Sequence, residues 1–406
     1  MNCIDLFAGA GGLSEGFYRC GFNIIAHVEK ESQACLTIKT RLAYHYLKSI
    51  DKLDTYYDYL KDKISRDDLY SIIPDKILNS VVNETISEDT MPNIFECVDS
   101  LIDGREIDLI IGGPPCQAYS LVGRARDPMS MDGDERKYLY KYYLKFLEKY
   151  RPKVFVFENV RGILSANKGK LFKQICEEMN DVGYEIEYRL LDAADFGVVQ
   201  NRKRVILVGW RQELQLSYPE FDTLNNQHTI NDLLSDLPKL QQNCKGSKKK
   251  YRKVKDSCSR ELGLKDDSLN FVIQHDSRMH NDRDLEIYRI AVEKFDKGER
   301  LQYKDLPKAL ITHKNTRVFN DRFKVVNGKG LCHTMVAHIA KDGHHYIHPD
   351  VKQNRSLTVR EAARIQTFPD DYYFESSRTA AFTQIGNAVP PLMAEKIAEK
   401  IKEMLY

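Results

Sequence analysis

No run of about 18 consecutive apolar residues occurs in the 406-residue chain, so a helical membrane span is not expected. Nothing of signal-peptide plan precedes the first candidate strand, Cys3-Ile4-Asp5-Leu6-Phe7. The nine cysteines are scattered, odd in number and without paired metal spacing. They point to a reducing cytoplasm and to no bound metal. The formal net charge is only +2, so bulk electrostatics does not announce a polyanion partner, and any such site must come from local clustering. What remains is ordinary for a globular protein: 42% hydrophobic and 30% charged residues. The length suits two domains, or one with a sizeable insertion.

The chain is organised around Ile110-Ile111-Gly112-Gly113-Pro114-Pro115-Cys116-Gln117-Ala118-Tyr119-Ser120. A short buried strand, Asp108-Leu109-Ile110-Ile111, runs into a tight loop that presents one cysteine. Gly112 and Gly113 permit backbone angles and close approaches that a β-carbon forbids. Pro114 and Pro115 fix their own φ and restrict the residue before each, which stiffens the loop. A thiol held this way at a strand end is a candidate nucleophile rather than a buried core cysteine.

Residues 1–29 read as strand, glycine-rich turn (Ala8-Gly9-Ala10-Gly11-Gly12), short helix with Leu13 and Phe17 on one face, second strand, and terminal Glu29. That is the order of a nucleotide-binding βαβ unit, in which the acid accepts from ribose hydroxyls. Leu13-Ser14 follow where a third fingerprint glycine would stand, which favours a ligand without a pyrophosphate. Glu31 to about Pro92 is charged, tyrosine-rich and helical, with Leu47, Ile50, Leu53, Tyr57 and Leu60 at helical spacing, and reads as a surface helical insertion (about 40–92). Tyr56, Tyr57 and Tyr59 could alternatively stack on bases. Phe95-Glu96-Cys97-Val98-Asp99 reads as a strand ending in an acid.

Beyond the cysteine, Leu121–Arg136 is a polar stretch whose Arg124 and Arg126 suit a polyanion, and it reads as a loop that closes over substrate. A helix is expected over Tyr138–Tyr150, and the hydrophobic strand Val154–Phe157 ends in Glu158. A helix through Leu171, Ile175 and Met179 follows, then the strand Glu185–Leu191. Gln200-Asn201-Arg202-Lys203-Arg204 precedes a further strand, Val205–Val208. This alternation predicts an α/β, doubly wound, mostly parallel sheet. The rhythm breaks at about Tyr218. Lys239–Lys255 carries eight Lys or Arg and no acid, which reads either as a solvated face or as a phosphate contact through Lys248, Lys249 and Arg252. Near the end, Ser356 or Thr358 caps a helix through Arg360-Glu361-Ala362-Ala363-Arg364. Gly386-Asn387-Ala388-Val389-Pro390 leads into a final amphipathic helix.

Six of these motifs, taken in order, carry a specific resemblance: Asp5–Gly12, Gly113–Gln117, Phe157–Val160, Gln200–Arg204, Arg360–Arg364 and Gly386–Pro390. Together they resemble the DNA cytosine-5 methyltransferases of prokaryotic restriction-modification systems. The resemblance implies an S-adenosylmethionine-dependent fold, with a catalytic domain over 1–220, an inserted target-recognition domain over 221–352, and a segment 353–406 that returns to the catalytic domain. It implies a cofactor pocket of Phe7, Gly9, Gly11, Gly12, Glu29, Asp99, Pro114, Leu139, Asn387 and Val389, with Glu29 on the ribose and Asp99 on the adenine. Thr334 resembles the threonine-bearing end of the recognition domain and joins the DNA-binding set.

The chemistry implied demands these residue types. Carbon-5 of cytosine is a poor nucleophile, and addition of a thiolate at carbon-6 activates it. A free thiol ionises near about 8.5, so Cys116 needs a site that favours thiolate. Glu158, when protonated, donates to ring nitrogen 3. Arg204, with Arg202 beside it, binds the base carbonyl or positions Glu158. Because carbon-6 is out of reach inside a duplex, the base must be flipped out. The expected partner is double-stranded DNA, with a separate restriction endonuclease in functional pairing and the enzyme a monomer. A tRNA cytosine methyltransferase would carry a Cys-Phe-Thr run that is missing here. An exocyclic-amino DNA methyltransferase would need Asp-Pro-Pro-Tyr and no cysteine. The presence of Cys116, Glu158 and Arg204 together speaks against an inactive binding homologue.

Overall fold

The computed structural model describes residues 1–115, 139–224, 227–312 and 320–406. Apolar side chains fill consecutive positions along its central strands and alternate between the two faces of the sheet. Among the described residues seven strands are formed: β1 Asn2–Leu6, β2 Asn23–Glu29, β3 Val81–Asn83, β4 Leu109–Gly112, β5 Val154–Val160, β6 Tyr184–Asp192 and β7 Lys203–Arg211. They make one sheet in the order β3-β2-β1-β4-β5-β7-β6. The first five run parallel, and only β7 is antiparallel to its neighbours β5 and β6. Ile4, Leu6, Ile110, Phe155 and Phe157 pack on one face, while Cys3, Leu109, Ile111, Val154 and Val156 pack on the other.

Helices α1 (Gly12–Arg19), α2 (Ser32–Ser49), α3 (Leu53–Leu60), α4 (Met91–Ile102), α5 (Leu139–Tyr150) and α6 (Lys170–Asp181) connect the strands. Val98 of α4, Phe146 of α5 and Ile175 of α6 cover one face of the sheet. The doubly wound α/β reading therefore holds. Among the described residues no helix is long and apolar enough to cross a membrane.

Two local readings do not hold. Residues 95–99 are helix, not strand, because Met91, Ile94, Val98 and Ile102 recur at helical spacing and are buried together. The strand at this place in the sheet is instead β3, only three residues long. It lies within the stretch read as a surface insertion, and that stretch is not superficial. Tyr44, Leu47, Tyr56, Tyr57 and Leu60 are buried against Leu269, Phe271 and Ile273. Its apparent single helix is two, broken at Asp51, whose φ is 56°. The Tyr56 hydroxyl donates to the Asp371 carbonyl at 2.7 Å, and that of Tyr59 to Glu375 Oε1 at 2.7 Å. Both rings are spent inside the fold rather than offered to bases.

Beyond β7 regular structure is sparse among the described residues, with one long helix, α7 (Asp282–Asp296), before the C-terminal helices α8 (Val359–Ile365), α9 (Arg378–Asn387) and α10 (Pro391–Leu405). Thr358, not Ser356, caps α8 in a reciprocal capping box with Glu361. Helix α10 returns to the sheet: Met393, Ile397 and Ile401 share a core with Leu13 and Phe17 of α1, and Glu395 pairs with Arg19 at 3.0 Å.

The arginines of α8 are structural. Buried Arg364 holds both oxygens of Asp370 (2.8 and 2.6 Å) and Asp236 at 2.5 Å, with Lys265 on Asp236 at 2.9 Å. Burial alone would raise the Asp236 carboxyl, but the Arg364 guanidinium and then Lys265 bring it down to about 2. Because the folded value lies below the unfolded one, near about 3.9, this stabilisation is complete above about pH 4 and drains away as pH falls toward about 2. Asp236→Ala should cost about 3–5 kcal/mol at neutral pH by equilibrium denaturation, since it strands part of a buried cationic cluster. It should also flatten the stability–pH curve between about pH 4 and 2, and an unchanged curve would remove this pair from the acid response.

Candidate active site

A cavity of 1720 Å³ opens at the carboxyl ends of β1, β2, β4 and β5, the place where open parallel sheets bind ligands. One lobe is built on the turn after β1. Phe7 there has φ 57°, a left-handed angle that a bulky residue adopts only when its surroundings enforce it. Glu29 ends the adjacent β2, and its two oxygens accept from the Gly9 and Glu31 backbone N–H groups, each at 2.8 Å. Burial pushes the Glu29 carboxyl up, and the two backbone donors pull against that shift. Glu84, Thr85 and Ile86, just after β3, complete this wall.

The other lobe lies where β4 and β5 end. Val160 pairs with Arg204 and Glu158 with Ile206, which makes Glu158 and Arg204 diagonal neighbours on one face of the β5–β7 ladder. Arg204 Nε meets Glu158 Oε1 at 2.8 Å, and the two side chains are 11% and 15% exposed. Gly112 is in register with Leu6 on one side and Phe157 on the other, and a β-carbon there would overlap the Leu6 carbonyl. A β-carbon on Gly113 would press into the Glu158 backbone and carboxylate. The pair of glycines thus brings the Pro114-Pro115 segment directly against Glu158. Buried Asn159 donates from Nδ2 to the Pro114 carbonyl at 3.2 Å and holds that segment down. Asn159 carries no expected role in the sequence, although a polar residue following four hydrophobic strand positions and Glu158 is a visible signal.

Phe7, Gly9, Gly12, Glu29, Pro114, Leu139, Asn387 and Val389 all line this one cavity, together with Glu158 and Arg204. Cys116, Arg124, Arg126 and the stretch Leu121–Arg136, expected as a closing loop, lie outside the described residues. Three expected members sit elsewhere. Asp99 is on α4, its side chain 49% exposed, bonded to the Tyr150 hydroxyl (2.9 Å) and Lys149 (2.9 Å), because the helix carries it away from the strand ends. Gly11 caps α1 and lines a separate cavity of 340 Å³. Arg202 precedes β7 and is fully buried, and its guanidinium binds carbonyls of Met335, Gly386 and Ala388 rather than Glu158.

The basic run is likewise absent from the cavity wall. Lys248 is paired with Asp62, Arg252 donates to the Ser235 carbonyl at 2.9 Å, and Lys249 shares backbone bonds with Val272 and Gly246. Thr334 donates to the Asn201 carbonyl at 2.7 Å. Among the described residues the cations on the far wall are Arg283, paired with Asp284 at 3.2 Å, and Arg322, over the Tyr303 ring at 4.0 Å, beside His338, His344 and His345. Arg283 and Arg322 each stand beside an aspartate in the sequence, so no charge run marked them. Among the described residues no cluster of His, Cys, Asp or Glu could hold a metal ion.

Comparison with known proteins adds the family. The model for C-5 cytosine-specific DNA methylases matches residues 1–69 and 81–403. The chain is 44% identical to the type II methyltransferase M.Bpa9945I of Bacillus paralicheniformis, over 100% of this chain and 99% of that one. It is 31% identical to M.XorII of Xanthomonas oryzae pv. oryzae, over 99% and 84%. A solved DNA modification methyltransferase encoded in an E. coli prophage shares the fold, with a TM-score of 0.63 at 22% identity and 100% and 99% coverage. The unmatched residues 70–80 fall between the α2–α3 helices and β3, so the match spans every strand of the sheet. With both lobes of the cavity inside that match, the chain belongs to the C-5 cytosine-specific DNA methylase family, and it is a DNA (cytosine-5-)-methyltransferase.

Proposed function

We propose that this enzyme methylates carbon-5 of a cytosine flipped out of a specific double-stranded DNA sequence, by covalent catalysis through Cys116. One observation carries the reading: the Glu158–Arg204 pair, abutting the segment that leads into Cys116, shares a single cavity with the Glu29 turn. The Glu29 lobe fits S-adenosylmethionine. It offers a buried carboxylate for ribose hydroxyls and an apolar Phe7 wall, and it lacks the third glycine of a pyrophosphate site. When bound, S-adenosylmethionine supplies the electrophilic methyl group. The Cys116 thiolate adds to carbon-6 and makes carbon-5 nucleophilic. Arg204 fixes Glu158 Oε1, which leaves Oε2 to deliver a proton to ring nitrogen 3. Once carbon-5 has taken the methyl group, water accepts the carbon-5 proton, ring nitrogen 3 returns its proton to Glu158, and Cys116 leaves as thiolate by elimination.

Residues 221–352 act in this scheme as the target-recognition domain, inserted before the returning segment 353–406. Their Arg283 and Arg322 replace the basic run as the phosphate- or base-facing cations. The enzyme works in the cytoplasm as a monomer and protects DNA from a separate restriction endonuclease.

Bisulfite sequencing of DNA from cells expressing the chain should reveal one methylated cytosine in a fixed sequence, and unmethylated DNA throughout would overturn the proposal. Glu29→Ala should weaken S-adenosylmethionine binding by about 10- to 100-fold in calorimetry, because two charge-assisted bonds to the ribose are lost. An unchanged affinity would place the cofactor elsewhere.

A further inference from the structure

Two walls of the active cavity come from chain segments that no strand of the sheet holds in place. Val336, Ala337 and His338 close the recognition side, and Gly386–Val389, where α9 ends, closes the cofactor side. The two touch directly: a β-carbon on Gly386 would overlap the backbone of Val336 and Ala337. Behind that contact lie three fully buried side chains that the mechanism above does not use, Gln200, Arg202 and Gln366.

Their hydrogen bonds form one circuit. Arg202 donates from Nη1 to the Met335 carbonyl at 2.5 Å, and from Nη2 to those of Ala388 at 2.8 Å and Gly386 at 3.3 Å. Gln200 Oε1 accepts from the Met335 N–H at 2.7 Å, so both polar backbone groups of Met335 are held. Gln200 Nε2 donates to Gln366 Oε1 at 2.6 Å, and Gln366 Nε2 donates in turn to the carbonyls of Ile385 at 2.9 Å and Ala388 at 2.8 Å. Met335 immediately precedes the Val336–His338 wall, and Ala388 sits between cavity-lining Asn387 and Val389. None of the three clasp residues lines the cavity itself.

We infer that Gln200, Arg202 and Gln366 are positioning residues that lock the DNA-facing wall to the cofactor-facing wall, so that occupancy of either side favours the other. The physical reason is that a ligand ordering one wall also orders its partner, and the second ligand then binds to a wall already set. The planar guanidinium suits this role, since its fixed fork spans carbonyls from both segments at once. The inference rests on the reading of the two lobes given under the proposed function.

The test is a binding cycle. S-adenosylhomocysteine affinity is measured by calorimetry with and without a duplex carrying the site mapped by bisulfite sequencing. The wild-type enzyme should bind the nucleoside at least about fivefold more tightly with DNA present, the lower end of ordinary site-to-site coupling. Gln366→Met keeps the volume and removes the amide. It should bring the ratio to about one, with DNA-free affinity altered less than about threefold. Arg202→Lys, which retains charge and donors but not the fork, should give an intermediate ratio. Melting curves confirm that each variant is folded. A wild-type ratio preserved in both folded variants, or a wild-type ratio of one, overturns the clasp alone. A wild-type enzyme that binds no S-adenosylhomocysteine overturns the cofactor reading and the clasp with it.

Discussion

Cys116→Ser should abolish methyl transfer, with a loss on the order of 10⁴-fold or more, because the reaction has no route around the missing nucleophile. Carbon-5 becomes reactive only after a thiolate has added to carbon-6. A serine hydroxyl at neutral pH has neither the acidity nor the nucleophilicity to replace it. The direct measurement is adduct formation. A duplex with 5-fluorocytosine at the target position should become covalently attached to wild-type enzyme only when S-adenosylmethionine is present, because fluorine blocks the elimination that frees Cys116. The Cys116→Ser protein should bind the same duplex and form no adduct. A wild-type enzyme that forms no adduct with the mapped site, while still methylating it, would exclude covalent catalysis.

Glu158→Gln should lower turnover by about 10²–10⁴-fold, the usual contribution of a positioned proton donor, with S-adenosylmethionine affinity changed less than about threefold. The amide oxygen can still accept from Arg204, so the pair seen at 2.8 Å survives in outline. What is lost is the proton delivered to ring nitrogen 3 as charge develops there. Single-turnover kinetics isolates that step from product release. The split matters, because Glu29 and Glu158 occupy different lobes of the same cavity. A Glu158 variant that loses cofactor affinity rather than turnover would show that the lobes are not separate, and undiminished turnover would remove Glu158 from the mechanism.

The sequence alone determined the sheet's interior, because a strand buried on both faces must be apolar along its length. Leu109–Ile111, Val154–Phe157 and Val205–Val208 could be read directly as strands. The glycine-rich turn and Glu29 were legible for a similar reason: backbone conformation and a strand-terminal acid are short-range properties. Six motifs in fixed order suffice to indicate the family.

Tertiary structure decided the rest, wherever the outcome turned on a distant partner. β3 has three residues, too few for a periodic signal, and is a strand because β2 offers it a free edge. Asp99 is the exception, a local signal misread: Met91, Ile94, Val98 and Ile102 recur at helical spacing, and their helix carries the acid away from the strand ends. Arg202 and Arg204 are two residues apart and equivalent on paper. Arg204 reaches Glu158 across a ladder, whereas Arg202, just before the strand, is drawn to carbonyls from segments more than 130 residues away. The densest basic run lies away from the cavity, with Lys248 on Asp62, while Arg283, itself paired with Asp284, and Arg322 reach the cavity wall with no charge run to mark them. Local periodicity reports which residues are buried. Which charge meets which is set by chain crossings that no local pattern encodes.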